Sequence, residues 1–167
     1  MNNLPERKSN RLKNFDYSSV GYYYVTLCAK NKKHYFGKVE NSQVILNQIG
    51  KLVNEIWLGL PEIFSGIELD LSVVMPNHFH GVIIFNKAPL YAQAKKPATL
   101  SQIIGSLKSK TNVLARRNIL PHLNKLELWQ KTFYDRIIRN DQEFLKIREY
   151  IQNNPLKWEL DEYYRAL

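Results

Sequence analysis

Hydrophobic and polar positions change period several times along the chain, and each change marks an element. Gly21-Tyr-Tyr-Tyr-Val-Thr-Leu-Cys28 is rich in aromatic and β-branched residues and predicts a strand. After the basic loop Lys30–His34, Tyr35–Glu40 and Gln43–Leu46 flank the polar pair Asn41-Ser42 and predict a hairpin. From Asn47 the period lengthens: Ile49, Leu52, Val53, Ile56 and Leu60 recur at spacings of three and four, the stripe of an amphipathic helix stopped near Gly59 and Pro61. Ile67–Met75 and His78–Phe85 are strand-like again, and the two residues between them, Pro76-Asn77, fit a tight antiparallel connection. Asn86–Ala98, with two prolines and three lysines, reads as a loop.

Thr99 and Gln102 then form a capping box ahead of Leu100, Ile103, Ile104, Leu107 and Leu114, a second amphipathic helix. Trp129–Arg139 returns to a β-rich composition. Asn140 with Glu143 caps a third helix carrying Phe144, Ile147 and Ile151. Pro155 ends it, because the residue before a proline is pushed out of the α region. Leu156–Leu167 carries no assignable period. Without the small hairpin and the last helix the order is β-α-β-β-α-β. This predicts an α+β, ferredoxin-like antiparallel sheet with two helices on one face, an added hairpin and an extra C-terminal helix near the other face. Residues 1–14, basic and aperiodic, are expected to be a flexible arm, residues 15–158 one domain, and residues 159–167 a short tail.

Charge narrows the choice of partner. Among 167 residues, 24 Lys and Arg against 15 Asp and Glu leave a net +9, which favours a polyanion such as nucleic acid. The lone Cys28 cannot form an internal disulfide, so a stapled secreted scaffold is excluded. No apolar run approaches the roughly 18 residues of a membrane span, and Met1–Lys13 has no apolar signal core. A cytoplasmic protein with no membrane partner is expected.

His78-Phe79-His80 is the sharpest local signal. On a strand, residues two apart share a face, so both imidazoles project together and Phe79 points away. Two such imidazoles suit one divalent metal. They equally suit a half-buried pair with no ligand role. Tyr150 and Asn154, four apart on the third helix, share a face with Ile147 and Ile151, which turns Tyr150 toward the protein. One of ten tyrosines is weak evidence by itself, and Asn154 also fits a helix C-cap before Pro155.

Arg11-Leu-Lys-Asn-Phe-Asp-Tyr17, the Gly21–Thr26 strand, Met75-Pro-Asn-His-Phe-His-Gly-Val82 and Tyr150-Ile-Gln-Asn-Asn-Pro155, in this order and spacing, resemble the REP-associated tyrosine transposases. These are relatives of the single-tyrosine insertion-sequence transposases in the HUH endonuclease superfamily. The resemblance runs from about Arg7 to Trp158. It implies that His78 and His80 are metal ligands, that Tyr150 is the nucleophile, and that Asn154 is the third ligand, with Mg²⁺ or Mn²⁺ as the ion. Asn rather than Gln at position 154 points to the REP-associated branch. The resemblance further implies a transposase-like endonuclease and strand transferase that cleaves single-stranded DNA near hairpins through a 5′-phosphotyrosine. A monomer working in cis is expected rather than a homodimer.

Candidate DNA contacts are Arg11, Lys32, Lys33, Lys95, Lys96, Lys108, Arg116, Arg117, Arg136 and Arg139, which together can follow the phosphates of a folded strand. Trp129, Phe133 and Tyr134 are candidates for stacking on unpaired bases, and Tyr134 is also the second candidate nucleophile. Two other functions compete. One is a non-catalytic or domesticated DNA-binding protein of the same fold, against which the complete His78, His80, Tyr150 and Asn154 set argues. The other is a two-His hydrolase of small substrates, disfavoured by the charge.

Overall fold

The computed structural model describes residues 16–86 and 98–164. The basic arm and the centre of the Asn86–Ala98 loop, with Arg11, Lys95 and Lys96, lie outside the described residues. The elements in chain order are β1 (Gly21–Cys28), β2 (Gly37–Glu40), β3 (Gln43–Leu46), α1 (Gln48–Leu58), α2 (Leu60–Ile63), β4 (Ile67–Val74), β5 (His78–Phe85), α3 (Leu100–Asn118), β6 (Tyr134–Ile138) and α4 (Asp141–Asn153).

The helix starts follow their capping residues. Asn47 Oδ1 accepts from the Gly50 amide at 3.0 Å. Thr99 and Gln102 make the reciprocal capping box. Asn140 Oδ1 accepts from the Glu143 amide, while the Glu143 carboxylate reaches one residue further back, to the Arg139 amide. That hydrogen bond, with help from nearby Arg136, holds the Glu143 carboxyl below its ordinary range.

Four strands form one antiparallel sheet in the order β4-β5-β1-β6, and β2-β3 is a separate hairpin. This is the predicted ferredoxin-like arrangement, with β1 and β5 at the centre. The strand predicted over Trp129–Arg139 is shorter. Only Tyr134–Ile138 pairs with β1, and Trp129 makes a single bridge with Ala29. Its indole is buried against Phe36 at 4.6 Å, so the aromatic content ahead of β6 reflects packing rather than ladder formation.

The sheet has two unlike faces. Tyr23, Val25, Leu27, Phe79, Ile83 and Phe85 point to one side and join α1 and α3 in the main core, with Trp57, Ile103, Ile104 and Leu107. On the other side α4 docks through a small cluster of Val82, Ile138, Ile147 and Ile151, flanked by Tyr24, Val73 and Phe144. Gly81 permits the main core to close. A Cβ there would stand 2.6 Å from the Trp57 ring and 2.9 Å from the Phe79 ring. No helix among the described residues is long and apolar enough to cross a membrane.

Candidate active site

Sheet register brings the polar residues of the α4 face together. His78 lies opposite Cys28 and His80 opposite Thr26, so both histidines emerge from the central strand β5 beside the even-numbered residues of β1. Their ring centroids are 4.6 Å apart and both residues are fully buried. Burial pushes both imidazoles well below their ordinary pKa, His78 against the opposing pull of Asp161 and His80 with added repulsion from His78. They are neutral at pH 7, the state in which imidazole binds a metal.

Hydrogen bonding orients the rings. Asn77 donates its Nδ2 hydrogens to the carbonyls of Tyr163 (2.8 Å) and Lys32 (3.2 Å). Its Oδ1 is therefore left to accept from His78 Nδ1 at 2.9 Å, which leaves Nε2 as a bare lone pair. His80 Nδ1 lies 2.7 Å from the Tyr24 hydroxyl and 2.9 Å from Thr26 Oγ1, and its Nε2 also faces inward.

Tyr150 and Asn154 approach from α4. The Tyr150 ring is 5.3 Å from the His80 ring and edge-on to Tyr24 at 6.5 Å. Asn154, although a helix C-cap, has its side chain 2 % exposed and turned into the site. The expected nucleophile and the three expected ligands thus converge. Moreover, His78 Nε2, His80 Nε2 and Asn154 Oδ1 are all buried without a hydrogen-bond partner. Leaving such atoms orphaned is costly, and a cation would satisfy all three at once. Two imidazoles and an amide oxygen fit Mn²⁺ or Mg²⁺.

The C-terminal segment supplies what the motifs did not show. Trp158–Leu160 forms a 3-10 turn, and the next residues, within the stretch expected to be a tail, close over the site. Asp161 Oδ2 accepts from Asn154 Nδ2 at 2.7 Å and from the Tyr150 hydroxyl at 3.1 Å, and Oδ1 accepts from the Tyr163 amide at 2.7 Å. Ligand atoms of His78, His80 and Asp161 all lie within 4.8 Å of one another, which makes Asp161 a fourth candidate ligand. Tyr163 covers both imidazoles, at 4.8 Å from His78 and 5.9 Å from His80. Burial, the Asp161 charge and the hydrogen bond to it push the Tyr150 phenol well above its ordinary pKa. No periodicity marked Asp161. The only clue was that Leu156–Leu167 alternates aromatic, acidic and apolar residues after a helix stop.

The candidate DNA contacts are spread widely. Lys32 lies beside the site, over the Tyr163 ring and within 3.5 Å of the Glu162 carbonyl. Lys33 and Arg139 are exposed. Arg136 projects on the site face of β6 and pairs with Glu143. Arg116 and Arg117 end α3 on the opposite side of the sheet. Lys108 donates to the carbonyls of Gln130 (3.0 Å) and Thr132 (2.9 Å), so its ammonium ties α3 to the approach to β6.

A family model described as IS200-like transposase matches residues 17–154. The chain belongs to that family. The matched span runs from Tyr17 to Asn154 and includes all four convergent residues. A Haemophilus influenzae relative described as an uncharacterized protein is 36% identical over 96% of this chain and 94% of its own. Among solved structures, that of a REP-associated tyrosine transposase bound to a REP hairpin shares the fold. Its TM-score is 0.61 at 16% identity, covering 91% of this chain and 74% of that one. A putative transposase from Deinococcus radiodurans aligns at TM-score 0.48 and 15% identity, over 86% of this chain and 97% of that one. The relation to insertion-sequence transposases read from the Pro-Asn-His-Phe-His-Gly and Tyr-Ile-x-x-Asn-Pro blocks is thus the one the family model shows, and the protein is a transposase-family, DNA-processing protein.

Proposed function

We propose that this transposase-family protein is a metal-dependent single-stranded DNA endonuclease and strand transferase that acts beside DNA hairpins through Tyr150. The observation that carries this is the convergence of a tyrosine hydroxyl with three buried, unpartnered ligand atoms, His78 Nε2, His80 Nε2 and Asn154 Oδ1. These atoms would hold Mg²⁺ or Mn²⁺, with Asp161 at hand as a further oxygen ligand. The ion, when bound, polarises a phosphoryl oxygen and offsets charge on the reacting phosphate.

The chain's own residues do the rest. Tyr150 Oη attacks the phosphorus, the bond from phosphorus to the 3′-oxygen breaks, and the leaving oxygen takes a proton from water, so the products are a 5′-phosphotyrosine and a free 3′-hydroxyl. The phenol proton points at Asp161 Oδ2, the carboxylate to which it can be handed. A second strand's 3′-hydroxyl reverses the step and rejoins the DNA, since the phosphotyrosine conserves the ester bond. Asn77, Tyr24 and Thr26 hold the two imidazoles through their Nδ1 atoms, which leaves Nε2 of each ring for the ion. The net +9 and the exposed Lys33 and Arg139 support a DNA backbone as the partner. The REP hairpin bound by the structural relative supports hairpin DNA as the class. The reading takes the protein as a monomer acting in cis, with Tyr150 placed 5.3 Å from His80 of the same chain.

Incubation with single-stranded hairpin oligonucleotides and Mn²⁺ tests the proposal. An SDS-resistant protein–DNA band is expected, with the nucleotide placed on Tyr150 by mass spectrometry. A nucleotide on Tyr134 would move the active centre to β6. DNA binding with no band in Mn²⁺ or Mg²⁺ would leave a non-catalytic DNA-binding protein.

A further inference from the structure

Helix α4 leans toward the β4 side of the sheet, where Arg148 reaches Asp70 at 3.6 Å. The β6 side is left open. Between α4 and β6 runs a cleft of about 670 Å³ whose walls include Tyr24, Thr26, Gln130, Tyr134, Lys146 and Tyr150. That size falls in the roughly 300–1,000 Å³ range of sites that enclose a small ligand. A second cavity of about 530 Å³ continues it along the same seam, sharing Asp135, Arg136 and Lys146. The nucleophile is thus the end wall of a channel and not an isolated group.

Tyr134 is the one aromatic of its segment available in that channel. Trp129 is buried and Phe133 is half-buried beneath the Lys108 ammonium. The Tyr134 side chain is 46% exposed and has no hydrogen-bond or ring partner among the described residues. Thr26 pairs with His80 on one side and with Tyr134 on the other, so Tyr134 stands two strand spacings, about 10 Å, from His80 on the same face. Lys146, exposed and unpaired among the described residues, faces it from α4. An exposed aromatic facing a free cation in a groove is the combination that binds single-stranded nucleic acid, the ring taking a base and the cation a phosphate.

We propose that the α4–β6 cleft is a nucleobase subsite in which Tyr134 stacks the unpaired base next to the phosphate attacked by Tyr150 and Lys146 holds the adjoining backbone phosphate. It rests on the nuclease proposed above and adds the path by which the strand reaches it. Stacking makes the subsite tolerant of sequence, because every base has a π-face.

An oligothymidine carrying one 2-aminopurine, titrated at low salt in EDTA, probes this without any cleavage. Wild type and Tyr134→Phe are expected to quench the fluorescence equally. Tyr134→Ala is expected to lose the quenching and bind roughly tenfold to a hundredfold more weakly. Lys146→Ala is expected to weaken binding while keeping the quenching at saturation. No quenching by wild type, or equal quenching by Tyr134→Ala, overturns the proposal. Should Tyr134→Ala lose its cooperative melt, Tyr134→Thr, a β-favouring residue without a ring, takes its place. Covalent capture in Mn²⁺ separates the two claims. An adduct from wild type together with unchanged quenching by Tyr134→Ala removes the subsite and leaves the nuclease, whereas ring-dependent quenching with no adduct removes the nuclease and leaves the subsite.

Discussion

Replacing Asp161 by Ala probes how far the C-terminal segment belongs to the active centre. The carboxylate accepts three hydrogen bonds, from Asn154 Nδ2 at 2.7 Å, the Tyr163 amide at 2.7 Å and the Tyr150 hydroxyl at 3.1 Å. Asn154 is 2% exposed, so its Nδ2 left without an acceptor costs about 1–3 kcal/mol. The amide of half-buried Tyr163 adds about 1 kcal/mol. The Tyr150 hydroxyl adds little, since that residue is 40% exposed and can turn to water. The total is about 2–4 kcal/mol. In a domain of this size each kcal/mol moves the melting temperature by about 2–4 °C, so the variant should melt roughly 5–15 °C lower. Circular dichroism melts in EDTA measure this without interference from metal. Asp161→Asn, which keeps the shape but turns one acceptor into a donor, should lose a smaller part. A melt for Asp161→Ala that overlays wild type would refute the docking of residues 161–163 against the histidines.

Tyr150→Phe removes one hydroxyl, which donates to Asp161, so fold and DNA binding should survive while the covalent adduct disappears in the SDS assay. Mn²⁺ should raise the melting temperature of wild type and leave that of a His78→Ala/His80→Ala variant unmoved, because a ligand stabilises only the state that binds it. The double variant should keep most of its DNA affinity, measured by fluorescence anisotropy, since phosphate contacts dominate it. For pH the sign follows from the lowered imidazoles. An unfolded His takes up a proton near pH 6.5, whereas buried His78 does so only near about 4. Stability should therefore be at full strength above pH 6.5 and fall between there and about pH 4, and urea titrations of a His78→Gln/His80→Gln variant should show a shallower fall. DNA affinity should drop linearly with salt on logarithmic axes with a slope of several units. A slope near zero would make the +9 charge irrelevant to binding.

Much of the fold was legible because it is written in local signals. The capping residues Asn47, Thr99 and Asn140 start the helices where expected, and β1, β3 and β5 have the limits expected of them. The strand expected from Trp129 begins only at Tyr134, because an aromatic side chain reports burial as readily as ladder pairing. Lys108, a candidate DNA contact by its sequence, donates to two carbonyls of a segment more than twenty residues away, which no local pattern announced. Asp161 and Tyr163 carried no periodic signal. Their partners are Tyr150 and Asn154 on α4 and His78 and His80 on β5, and no period in Leu156–Leu167 encodes those contacts.

Sequence alone determined which side chains share an element and a face. Two-residue alternation on a strand puts His78 and His80 on one side, and a spacing of four on a helix does the same for Tyr150 and Asn154. These follow from backbone sterics within a few residues. Only the tertiary structure decided that the two pairs meet. That depends on the register that sets Thr26 between His80 and Tyr134, and on the face of the sheet that α4 covers through Val82, Ile138, Ile147 and Ile151. It depends also on the return of the chain after Pro155, which carries Asp161 to the nucleophile. Those placements are set by burying apolar surface between elements distant in sequence, and no short-range pattern carries that information.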